Sequence, residues 1–235
     1  MCGRFSQSER VDRIAELFGA EPDPALPEGS YNVAPTDPIR IVAATDGTRR
    51  VLAAGWGFTP FWRGRAGRDG REGGREPGWI NARAETALES PAFGPALRQH
   101  RCVIPADAFY EWDRGHRPPQ PYAIGPAGDG LLALAGLWTG PQRDGHPTAA
   151  ILTTRPNRVM ESLHHRMPVI LGADALEAWL APDAALEEVI PLLIPAPDDA
   201  LRVWPVSTAV NKVGTDGSGL LEPVDVVVPG TLGLA

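Results

Sequence analysis

Cysteine is nearly absent. Cys2 and Cys102 are the only two in 235 residues, too few for a disulfide framework or a cysteine-rich zinc site. No apolar stretch approaches the roughly 18 residues that cross a bilayer. The opening MCGRFSQSER lacks the apolar run of a secretory signal, so a cytoplasmic protein without membrane contact is expected. An excess of basic charge is also missing. The 22 Lys and Arg against 29 Asp and Glu leave a formal charge of −7, which argues against a generally basic nucleic-acid binder but permits a local basic groove. There is no GxGxxG turn, no βαβ alternation and no internal repeat, which excludes a Rossmann-type nucleotide domain. Nothing calls for a metal or an organic cofactor. No long apolar periodic face is left over, so a monomer is expected.

The pattern that is present is that of a globular chain: 43% hydrophobic and 22% charged residues can bury one sizeable core. Residues 9–18 place Val11, Ile14, Leu17 and Phe18 at helical spacing, with Ser8 as the expected cap. The Pro- and Gly-rich segment 22–38 reads as loop. Residues 39–43 and 51–54 flank Thr45-Asp46-Gly47-Thr48 and read as a β-hairpin. Residues 63–78 carry five Arg against three acids without periodicity and read as a mobile surface loop. A short helix is expected over 92–99. Strands are expected at 101–104 (ending at Pro105), 107–112, 121–125, 131–138, 148–154, 201–206 and 224–228. Residues 174–180 predict an amphipathic helix capped by Asp, and 183–191 a second one. Many short strands and few helices give an α+β class with a mixed, barrel-like β core and peripheral helices.

Cys2 has a chemistry that depends on its position. Loss of Met1 would leave an α-amine and a thiol on one residue. Such a 1,2-aminothiol condenses with an aldehyde to a Schiff base, and the thiol then closes a thiazolidine ring with the effective molarity of an intramolecular step. The amine (pKa near ~8) and the thiol (near ~8.5) are both partly nucleophilic at neutral pH. By position alone, Cys2 reads as an ordinary buried or incidental thiol.

Other segments combine rigid turns, aromatics and polar groups: Tyr31-Asn32-Val33-Ala34-Pro35-Thr36; Trp56-Gly57-Phe58-Thr59-Pro60-Phe61-Trp62; Ile80-Asn81-Ala82-Arg83-Ala84-Glu85-Thr86; Arg101 to Trp112, containing Phe109-Tyr110-Glu111-Trp112; and His164-His165-Arg166-Met167-Pro168-Val169. With Met1-Cys2-Gly3-Arg4-Phe5, they resemble the SRAP family (SOS-response-associated peptidase domain) from residue 1 to about 225. The resemblance implies one SRAP-like domain over 2–225, with 63–78 as an insertion and 226–235 as a tail. It implies that Cys2 becomes N-terminal by self-processing and crosslinks to abasic sites in single-stranded DNA. It further implies Asn81, Glu111 and His164 as active-site partners, and Arg4 and Arg83 as phosphate contacts.

These residue types suit the chemistry. A buried glutamate with a raised pKa can lose and regain the proton that Schiff-base formation moves. His164 titrates near neutrality, and Asn81 can hold an amine or a sugar oxygen without adding charge. Phe61 and Trp62 are expected to stack on bases flanking the lesion, and Arg166 to join the DNA contacts. His164 and His165 are adjacent, and spacing to Arg166-Met167-Pro168 favours His164. Cys102, Trp56, Trp112 and Trp138 read as core; His100, His116 and His146 as incidental loop residues; Asn32 and Pro35 as shaping a turn beside the site. Asn211 and Lys212 lie where a DNA or active-site contact would fit. Two other readings compete: a thiol peptidase acting on other proteins through a Cys2–His164 pair, and a non-catalytic single-strand binding module.

Overall fold

The computed structural model describes residues 2–60, 78–115, 117–140 and 147–226. Among them the strands are β1 (Phe5–Gln7), β2 (Glu21–Pro22), β3 (Ser30–Val33), β4 (Pro38–Thr45), β5 (Thr48–Trp56), β6 (Asn81–Arg83), β7 (Arg101–Ala106), β8 (Ala108–Asp113), β9 (Gln120–Pro126), β10 (Leu132–Trp138), β11 (Thr148–Thr154), β12 (Met167–Pro168) and β13 (Leu201–Pro205). Strands β5, β4, β7, β10 and β11 pair in that order, and β11 then pairs back onto β5 in parallel, Thr148 against Gly55 and Ala149 against Trp56. The sheet therefore closes into a ring and leaves few free edges to manage. A second sheet has the order β13-β9-β8-β1-β3.

Period-two alternation explains the ring. On β4, Ile39, Ile41 and Ala43 join Trp56, Cys102, Ile104, Leu134 and Ile151 in one buried cluster, which also takes in Cys2 and Phe5. The intervening Val42, Val51, Val103, Ala135 and Leu152 face a second cluster, covered by the helices Val11–Phe18 and Ala173–Leu180 through Ile14, Phe18, Trp179 and Leu180. Strands buried on both faces read as continuous apolar runs, which is why 131–138 and 148–154 show no alternation in sequence. Asp46 and Gly47 have φ of 52° and 77°, the twist-matched two-residue turn that Asp-Gly favours. Gly136 packs so closely that an added Cβ would meet the Cys102 sulfur at 2.8 Å.

The two sheets are stitched through Gln7. Its amide donates to Arg40 O (2.8 Å) and Pro105 O (2.7 Å) and accepts from the Arg40 N–H (2.7 Å). The buried Arg40 guanidinium returns bonds to the carbonyls of Gln7 and Glu9. A buried network of this kind, running in both directions between Gln7 and Arg40, fixes one arrangement of the two layers.

Several expectations need correction. Arg10, not Ser8, occupies the cap of the first helix, without a side-chain cap bond; the Ser8 N–H instead goes to the Asp107 carboxylate at 2.6 Å. The helix Ala173–Leu180 starts after Gly172, with Asp174 inside its first turn rather than capping it. The 22–38 segment contains β3, recruited by pairing with β1. β7 runs through Pro105 to Ala106. No strand forms at 224–226; only a bridge of Val206 to Pro223 is present, and 227–228 lie outside the described residues. His100 is not in a polar loop. It follows the helix Gly94–Gln99 and packs edge-on against Trp138, 5.8 Å between centroids. The 63–77 part of the Arg/Gly loop, His116 and His146 lie outside the described residues. Among the described residues no helix is long and apolar enough to cross a membrane, and no cluster of His, Cys, Asp or Glu is placed to hold a metal ion.

Candidate active site

The path of the chain before β1 sets the site. β1 pairs with β8 in antiparallel register, Phe5 against Phe109, and the Tyr110 N–H bonds Arg4 O at 2.9 Å. Continuing that register brings residue 3 opposite Glu111. Cys2 is wholly buried, and its sulfur sits 3.8 Å from Arg4 O. Burial pushes the thiol well above its ordinary range, and the negative charge of Glu111 adds to that push. Glu111 is itself only 5% exposed. Burial is the largest influence on its carboxyl and raises it, while the Arg114 guanidinium pulls the other way.

β6 brings in the third group. It lies parallel to β11, Asn81 against Ile151 and Arg83 against Thr153. From there the Asn81 Nδ2 donates to the carbonyl of Cys2 at 3.0 Å. The Asn81 Oδ1 is buried and accepts no hydrogen bond among the described residues, leaving an open acceptor beside residue 2.

His164 comes from the turn after β11. That turn is built on Asn157, whose Oδ1 accepts the Met160 N–H (3.1 Å) and whose Nδ2 donates to Ala196 O (3.1 Å). The His164 Nδ1 lies 3.0 Å from the Arg166 backbone N–H, which donates to it. The neutral ring then carries its proton on Nε2. Burial lowers the His164 pKa, helped by the nearby charges of His165 and Arg114, so the ring is held toward its neutral form. His165 is exposed and stacks on His164, 4.3 Å between centroids.

The arginines differ from one another. Arg83 is exposed at the end of β6 and makes no ion pair among the described residues. Arg4 is half-buried, with Nη1 donating to Asn32 Oδ1 (2.8 Å) and Val210 O (2.9 Å). Arg166 is already occupied: its two Nη atoms meet both Glu85 oxygens at 2.7 Å, and Nη2 also donates to Thr153 O at 2.5 Å. Phe61 and Trp62 lie outside the described residues. Asn32 does more than shape a turn, since it ties β3 to residues 210–215. Asn211 Oδ1 accepts the Trp112 Nε1–H at 2.6 Å, while Lys212 is exposed beside it.

Sequence reasoning overlooked Arg114, whose charge acts on both Glu111 and His164, and Glu85, which holds Arg166. Arg114 stands three residues after Glu111, a spacing that could have flagged it. The Glu85–Arg166 pair spans 81 residues and has no local signal.

Comparison with known proteins follows the same outline. The family described as SOS response associated peptidase (SRAP) matches residues 1–213. Abasic site processing protein YoqW of Bacillus subtilis is 38% identical over 231 residues, covering 94% of this chain and 99% of that protein. Abasic site processing protein YedK of Escherichia coli is 28% identical over 95% of this chain and 100% of its own length. A crystal structure of a Bacteroides thetaiotaomicron protein superposes with a TM-score of 0.79 at 24% identity, covering 95% of this chain and all of that one, a likeness of fold.

Proposed function

The chain belongs to the SRAP family, and from that premise we propose that it captures abasic sites in single-stranded DNA through Cys2 once Met1 is removed. The observation that carries the reading is the convergence of Asn81 and a buried, raised carboxyl at Glu111 on residue 2. Hydrolysis of the bond after Met1 frees the Cys2 α-amine. That amine adds to the C1′ aldehyde of the ring-opened deoxyribose, and water leaves to give the Schiff base. The Cys2 sulfur then adds to the C=N carbon, its proton passing to the nitrogen, and closes the thiazolidine. No oxidant or reductant is consumed.

Glu111 takes the proton released as the amine adds and, held toward its protonated form by burial, passes it to the departing water. Asn81 steadies the backbone of residue 2 and offers its free Oδ1 to the new amine. His164, neutral with its proton on Nε2, serves the opening of the sugar ring. Arg4, Arg83 and Arg166, with Phe61 and Trp62, form the DNA-contacting set, and a focused cleft on an acidic chain makes binding strongly salt dependent. Burial favours the aminothiol reading over a peptidase acting on other proteins: a Cys2 thiol pushed up and sharing its neighbourhood with Glu111 is a poor standing thiolate.

The test is an oligonucleotide with one abasic site, incubated with protein and run on a denaturing gel. Wild type should give a heat-stable adduct, and Cys2→Ala and Cys2→Ser should not. Absence of the wild-type adduct, or an intact mass that retains Met1 in the adduct-forming protein, refutes the mechanism. Cleavage of unrelated peptides that Cys2→Ala abolishes would establish the peptidase instead.

A further inference from the structure

Among the described residues the Arg4 guanidinium is held from one side only. Both of its hydrogen bonds among the described residues run through Nη1, to Asn32 Oδ1 at 2.8 Å and to Val210 O at 2.9 Å. Its Nε is buried without a hydrogen bond, and Nη2 makes none among the described residues. Those two atoms form one edge of the guanidinium, two parallel N–H groups that match two oxygens of a phosphate. The partners on Nη1 are themselves fixed. Asn32 is buried on β3, and its Nδ2 reaches the carbonyls of Val210 (3.4 Å), Lys212 (3.1 Å) and Thr215 (2.8 Å). The same strap is pinned at Asn211 by Trp112 and at Asp216, whose carboxylate takes the Tyr31 N–H at 2.7 Å.

We infer that Asn32 is a positioning residue, which with the strapped Val210 carbonyl turns the Nε–Nη2 edge of Arg4 toward a backbone phosphate of single-stranded DNA. One side chain thus does two jobs. Its amide nitrogen anchors the strap that supplies the second acceptor, and its amide oxygen supplies the first. The inference rests on the DNA-binding reading above, and adds the residue that makes a half-buried arginine a directed fork instead of a loose charge.

The experiment is fluorescence anisotropy with an undamaged, dye-labelled single strand over a salt series, so that binding is read apart from crosslinking. Wild type, Asn32→Ala, Arg4→Ala and the double variant are compared, each with a melting curve. Each single variant should weaken binding about tenfold and flatten the salt slope by about 0.7, one phosphate contact on a single strand. In the Arg4→Ala background, Asn32→Ala should add nothing. An unchanged salt slope in Asn32→Ala, or effects that multiply in the double variant, leaves Asn32 a structural residue and overturns the inference. Should Asn32→Ala not fold, Arg4→Lys decides, since it keeps the charge and lacks the fork. It should bind as weakly as Arg4→Ala, and wild-type affinity overturns the inference. A wild type that fails to bind the strand removes the DNA-binding reading itself, a result the variants cannot imitate.

Discussion

The Arg166–Glu85 pair offers a direct measure of what holds the histidine turn against β11. The Arg166 side chain is 13% exposed and that of Glu85 49%, so the pair is buried at one end and wet at the other. A half-exposed ion pair contributes about 0.5–1 kcal/mol, toward the upper end here because both oxygens are engaged. Arg166 has a second role, donating to Thr153 O at 2.5 Å, a charged hydrogen bond worth about 1.5 kcal/mol more. Arg166→Ala should therefore cost about 2–2.5 kcal/mol, and Glu85→Ala about 1 kcal/mol. The coupling energy between them should be near 1 kcal/mol. Urea unfolding of the wild type, the two single variants and the double variant gives all of these values. A coupling below about 0.3 kcal/mol, or a Glu85 variant as damaging as the Arg166 variant, would refute the assignment. The backbone N–H of residue 166, not its side chain, is the donor to His164 Nδ1. The ring's tautomer should then survive Arg166→Ala, with nitrogen NMR shifts of the His164 ring as the check. If Arg166 also meets DNA phosphate, Glu85 competes for it, and Glu85→Ala should tighten single-strand binding a few-fold.

Further outcomes follow from the buried groups. The Glu111 carboxyl is raised by burial, so its contribution to stability is fully present below its unfolded value of about 4.5 and is lost as pH rises through the folded value. Glu111→Gln should thus match wild-type stability near pH 4 and exceed it near pH 8, while crosslinking is lost; denaturation at both pH values reads the sign. Gly136→Ala would place a methyl 2.8 Å from the Cys102 sulfur and should destabilise by about 1–3 kcal/mol in a thermal melt. Thr36 holds φ of 79°, in the region a β-branched residue tolerates least. Thr36→Gly should relieve the strain and raise stability by about 1 kcal/mol, and a loss of stability would show that the turn needs the threonine side chain.

The candidate site was legible where its parts are local. The Asn81-Ala82-Arg83, Phe109-Tyr110-Glu111-Trp112 and His164 blocks each sit on or beside a strand of the closed ring or the sheet stitched to it. The Asp46-Gly47 hairpin and the helix over Val11–Phe18 could be read because turn chemistry and a 3.6-residue period act over a few residues. β3 and the full length of β7 could not, because a Pro- and Gly-rich segment becomes strand only when a neighbour supplies hydrogen bonds.

Sequence by itself thus determined the α+β class with its barrel-like β core, and it singled out Asn81 and Glu111, which the fold sets against Cys2. Tertiary structure alone decided how each group is set. It made Glu111 a raised acid, turned His164 Nδ1 toward a backbone N–H, and gave Arg166 to Glu85 and Arg4 to Asn32. The physical reason is that a pKa and a hydrogen-bond direction depend on burial and on partners distant in the chain. Local sequence cannot encode them, and only the closed ring and its stitched second sheet bring them together.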